Sequence, residues 1–142
     1  MKKILLLILI ILSPHLGLRA QKGLAIQSAF EELAVRKNAT EVIMSGKRLK
    51  DFHLTLFHSL EMKNPSSPDR QRITSLVQTD AAQAITSEET PEHRFYELPQ
   101  RKGLRAYILY RTNGTTLILI YIEGKATLKQ IKQYFRKKPS EK

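Results

Sequence analysis

The chain has 142 residues, with 24 Lys and Arg against 13 Asp and Glu, a net charge of +11 and no Cys. Without thiols there is no disulfide to staple a small core, no cysteine nucleophile, no Cys-based zinc site and no thiol to carry a lipid anchor. The cationic excess bears on solubility and on attraction to anions rather than on fold.

Met1-Lys2-Lys3 opens the chain, and residues 4–12 are unbroken aliphatics before Ser13-Pro14. Crossing a bilayer takes about 20 apolar residues, and proline discourages continuation of a helix. A positive start, a short oily run, a breaker and a small residue at Ala20 make a signal peptide over residues 1–20, cut between Ala20 and Gln21. An uncleaved anchor or a buried N-terminal segment are the competing readings. Residues 21–142 then form a single domain with a short basic tail, the usual size for one core. Loss of Lys2, Lys3 and Arg19 leaves it a charge of +8 and no transmembrane segment.

Ile26, Phe30, Leu33 and Ala34 recur at helical spacing, so residues 24–37 read as an amphipathic helix stopped by Asn38. "TEVIMSG" reads as a short strand, and "GKRLKD" as a basic connection of one helical turn. Residues 53–63 alternate, with Leu54, Leu56, His58, Leu60 and Met62 on one face of a strand. "NPSSPDRQR" opens a second helix, with Ser67 as N-cap, Pro68 in the first turn and Asp69 at the positive end of the dipole. Its buried stripe is Ile73, Leu76, Val77, Ala81, Ala84 and Ile85, and "TSEETPEH" closes it as a polar loop. "HRFYELP", "LRAYILYR" and "TLILIYIEG" are three strands, the last two joined at Asn113-Gly114, a hairpin signal because both residues accept positive φ. Residues 116–122 are apolar on both faces, which places that strand centrally. "ATLKQIKQYFRKK" is a closing helix with Leu128, Ile131 and Phe135 inward. The order α-β-β-α-β-β-β-α predicts an α+β domain, a mainly antiparallel five-stranded sheet with about three helices packed on it.

Chemistry is sparse. His53 and His58 diverge on either a strand or a helix and do not make a metal pair. His58 among leucines reads as a core histidine, and no acid pairs with another for general acid/base work. Nucleophile elbows, zinc-binding helices and phosphate loops are missing. No catalytic residue, metal site or cofactor is therefore expected. Lys125, Lys129, Lys132 and Arg136 recur at four, three and four residues, which gathers them on one helix face as a candidate anion-binding stripe. A solvated helix back is the plainer reading. Stacking rings are few there, so nucleic acid is not the expected partner.

"AQKGL", "MSGKRLKDFHLTLFHSLEM" and "LILIYIEG" together resemble a family of small exported proteins from Gram-negative bacteria of the Bacteroidetes group that carries a domain-of-unknown-function label. The resemblance runs from Gln21 to about Phe135. It implies a periplasmic or secreted α+β domain and brings no catalytic residue with it. The leading expectation is an exported, non-enzymatic binding module of the cell envelope, meeting an anionic envelope component or an envelope protein. One alternative is a small envelope hydrolase with a site near His58 and Glu61. Another is a structural or regulatory accessory that docks through an uncovered strand edge.

Overall fold

A computed structural model describes residues 23–136. The expected signal peptide, its expected cut site and the basic tail after Arg136 lie outside the described residues, as does the side chain of Arg136. In chain order the elements are α1 (Ile26–Leu33), β1 (Ala39–Ser45), a 3-10 segment (Gly46–Phe52), β2 (Leu54–Lys63), α2 (Ser67–Ala81), β3 (Thr86–Glu89), β4 (His93–Arg101), β5 (Leu104–Asn113), β6 (Thr116–Gly124) and α3 (Leu128–Arg136). The strands form one sheet in the order β1-β2-β6-β5-β4-β3, every neighbouring pair antiparallel.

The α+β class and antiparallel sheet match expectation, but the five-strand, three-helix count does not. The sheet has six strands, and three α-helices and a 3-10 helix occupy the described residues. The added strand, β3, lies inside the expected polar loop. It pairs with β4 from Thr86↔Glu97 to Glu89↔Arg94, and Pro91-Glu92 make the turn between Thr90 and His93, whose backbones bond to each other. An exposed edge strand of four polar residues has no buried face, so no apolar alternation marks it. The basic connection "GKRLKD" is the 3-10 helix, held by Leu49, which is buried.

Helices cover both faces. On one, α1 and α2 bury Phe30, Leu33, Ile73 and Val77 against Leu60, Met62, Ile108 and Leu119. On the other, the 3-10 segment and α3 bury Leu49 and Ile131 against Phe95, Tyr107, Leu109 and Ile122. β6 sits in mid-sheet between β2 and β5, as its two apolar faces require.

Three local expectations are corrected. Leu54 packs on the α3 side while Leu56 packs on the α1–α2 side, because a bulge between them breaks the alternation. The N-cap of α2 is Ser66, whose hydroxyl accepts the Asp69 N–H at 3.2 Å. The helix ends at Ala81; Ala84 packs on the same core beyond it, whereas Ile85 is exposed and leads into β3. Finally, Asn113 pairs with Thr116, so the β5–β6 loop is Gly114-Thr115, with Gly114 alone at positive φ (58°). Asn113 belongs to the strand.

Candidate functional site

Asp80, Glu123 and the central histidine, His58, are buried on the α1–α2 side of the sheet. Asp80, on α2, sends its carboxylate to the start of α1, where it accepts the N–H groups of Ala25 (2.7 Å) and Ile26 (2.8 Å). Ala25 offers no side-chain cap of its own, so a residue 55 positions away supplies one. On β6 the Tyr121 hydroxyl donates to Glu123 Oε2 at 2.5 Å, and Arg101 Nε lies 3.7 Å from that same oxygen. Burial pushes both Asp80 and Glu123 above the ordinary carboxylate range, against the pull of their hydrogen-bond donors. His58 is fully buried, stacked on Phe30 with ring centroids 3.7 Å apart, and Nε2 is 2.5 Å from Glu41 Oε2. Burial lowers its pKa, and Glu41 opposes that shift. These groups tie α1, α2 and β1 to the sheet.

A concave site lies beside them, where α2 passes over the ends of β4 and β5. Arg70 and Thr74, one helical turn apart on α2, face Arg94 of β4 with Tyr110 and Thr112 of β5 across a cleft of about 210 Å³. Arg94 and Tyr110 are cross-strand partners, and the guanidinium lies 5.6 Å from the ring centroid. Thr74 Oγ1 and the Tyr110 hydroxyl are 2.6 Å apart. The rim is the β3–β4 turn, Pro91 and Glu92, fixed by the Thr112 N–H donating to the Glu92 carbonyl at 2.9 Å. Arg36, Arg72, Arg101 and Arg105 each face a carboxylate. Among the described residues neither Arg70 nor Arg94 forms an ion pair, and Glu92 is the one carboxylate lining the cleft. Two guanidiniums beside three hydroxyls suit an anion, because the planar fork binds carboxylate or phosphate oxygens in pairs.

A family model for a family of unknown function, DUF6108, matches residues 14–135, which includes the whole cleft and the buried polar groups. The chain belongs to the DUF6108 family. No curated protein and no solved structure matches it.

In this DUF6108 chain the expected lysine stripe is spread over two settings. Lys125 precedes α3, in the turn after β6, where its backbone N–H donates to the His53 carbonyl at 2.8 Å. Lys129 is on α3 and exposed, and Lys132 is tied to Glu88 of β3. Arg136 ends the helix. His58 and Glu61 lie on opposite faces of β2 and do not meet; the carboxylate that reaches His58 is Glu41, from β1. Glu97 is buried, with Arg105 at 3.5 Å. Among the described residues no group of three or more His, Asp or Glu converges as a metal site, and no helix is long and apolar enough to span a membrane.

Sequence reasoning missed the cleft because its parts come from α2, the β3–β4 turn, β4 and β5. The one local sign was the Arg70–Thr74 spacing. It missed Asp80 because helix capping is sought within three residues of the helix start.

Proposed function

We propose that this DUF6108 chain is an exported, non-enzymatic binding module of a Bacteroidetes-type cell envelope, and that it takes an anionic group of an envelope component in the Arg70–Arg94 cleft. The observation that carries the reading is the pair of guanidiniums, without ion-pair partners among the described residues, facing one concavity lined by Thr74, Tyr110 and Thr112. The leader over residues 1–20 supports export, and the cationic excess supports capture of anions. Lys125 and Lys129 are a second, more dispersed cationic surface.

Two measurements test this. Titration of glucuronate or inorganic phosphate into the purified protein should shift the amide resonances of Arg70, Arg94 and Thr112. Affinity should fall with added salt and drop about tenfold or more in Arg70→Gln and Arg94→Gln. Shifts confined to Lys125 and Lys129, with no effect of the arginine variants, would move the site to the α3 side and refute the cleft. Mass spectrometry of the natural product should give Gln21 as the first residue; a chain retaining residues 1–20 would refute export.

A further inference from the structure

The two edges of the sheet differ in kind. β3 is short and carries Glu88 and Glu89, engaged by Lys132 and the Tyr96 hydroxyl. Short, charged edges resist pairing with other chains. β1 is seven residues long, "ATEVIMS", without Lys, Arg or Pro, and with Val42 41 % and Ile43 49 % exposed on opposite faces. Its single charged residue does not guard it, since the Glu41 carboxylate turns back across β2 to His58.

Among the described residues the backbone of β1 is also open on its outer side. The Lys63 N–H donates to the Asn38 carbonyl, so by the alternation of an antiparallel ladder residues 40, 42 and 44 bond towards β2. Glu41 and Ile43 thus present their N–H and C=O groups outward and Ser45 its N–H, the Ser45 carbonyl being taken as N-cap of the 3-10 segment and the Ala39 N–H by the Arg36 carbonyl at 3.1 Å. No described strand lies on that side. Cations bracket the edge, with Lys37 at one end and Lys47, Arg48 and Lys50 at the other, all exposed.

We infer that β1 is a docking edge for an extended segment of another protein, one with apolar residues at alternate positions and acidic residues at its ends. The segment adds a seventh strand, bonding to the outward groups of Glu41, Ile43 and Ser45, covering Val42 and Ile43, and setting its acids against Lys37 and Lys47. Charge selects this occupant over a second copy of the chain. A two-fold pairing centred on Val42 sets Lys37 of each copy across from Lys47 of the other, and like charges opposite one another are destabilising. The edge and the Arg70–Arg94 cleft share no residue, so each stands or falls alone.

The probe is a peptide of alternating valine and threonine with aspartates at both ends, added to the whole protein. Expected are amide shifts and slowed hydrogen exchange at Glu41, Ile43 and Ser45, and affinity that falls with salt. Ile43→Pro removes an outward N–H that β2 does not use, and should weaken binding roughly tenfold or more. Ile43→Lys, which leaves the backbone intact and places a charge on the edge, should do the same. Lys37→Glu with Lys47→Glu should weaken it as well, while favouring a peptide ending in lysines. The inference is overturned if the peptide perturbs only Arg70, Arg94 and Thr112. It is also overturned if binding survives both Ile43 variants, or if the protein sediments as a dimer that Ile43→Pro converts to monomer.

Discussion

Replacing Asp80 by alanine removes the side chain that caps α1 and leaves two inward N–H groups, those of Ala25 and Ile26, without an acceptor among the described residues. Asp80 is 1 % exposed, so water does not reach the vacated position without opening the helix contact. Leaving a buried donor without an acceptor costs about 1–3 kcal/mol, and loss of an N-cap costs about 0.5–2 kcal/mol. The two bonds overlap with the cap, so the expected loss is about 3 kcal/mol rather than their sum. With a urea slope of about 1–2 kcal/mol/M for a domain of this size, the unfolding midpoint followed by circular dichroism should fall by about 1.5–3 M. Amide exchange in α1 should accelerate. Asp80→Asn keeps one acceptor oxygen and should lose about half as much. Because burial raises the folded-state pKa of Asp80 above its ordinary 3.8, its contribution is complete below that value and declines as pH rises through the folded pKa. The deficit of Asp80→Ala should therefore be larger near pH 4 than at pH 7. A midpoint shift equivalent to less than about 0.5 kcal/mol would show that the carboxylate does not hold α1 in place.

Two further outcomes follow from packing and protonation. Gly124→Ala sets a Cβ 2.5 Å from the His53 carbonyl oxygen and 2.5 Å from Leu54 Cα, both backbone atoms, so it should destabilise by about 2 kcal/mol or more in urea; an unchanged midpoint would contradict the geometry. His58→Gln tests linkage: the folded pKa of His58 lies below its ordinary 6.5, so its contribution is complete above about pH 6.5 and is lost as pH falls through the folded value. Between pH 7.5 and 5.5 the native protein should lose more stability than the variant, and parallel melting curves would refute this.

Legibility of the fold followed burial. β2, β5 and β6 were readable because each carries enough buried apolar side chains to print a pattern, and Ile131 and Phe135 marked the inner side of α3 in the same way. β3 was not, because an edge strand with exposed side chains has no packing to print. Leu54 was assigned the face of Leu56 because a bulge leaves no mark on apolar spacing. At Asn113-Gly114 the sequence correctly announced a hairpin, but the pair does not say which two residues form its loop; register placed Gly114-Thr115 there. Of the candidate cationic sites, only the four residues close in sequence could be gathered by counting. Arg70 and Arg94 meet through the packing of α2 on β4 and β5.

The amino-acid sequence alone determined the class of the domain, its antiparallel character, the central place of β6 and the absence of thiol chemistry, since each is written in composition or in short-range periodicity. The tertiary structure alone decided that Asp80 caps a helix far from it in sequence, that Glu41 rather than Glu61 meets His58, that two arginines share a cleft and that β1 is the open edge. Periodicity reports which side of an element is buried. Only strand order, register and helix placement bring together side chains that lie tens of residues apart.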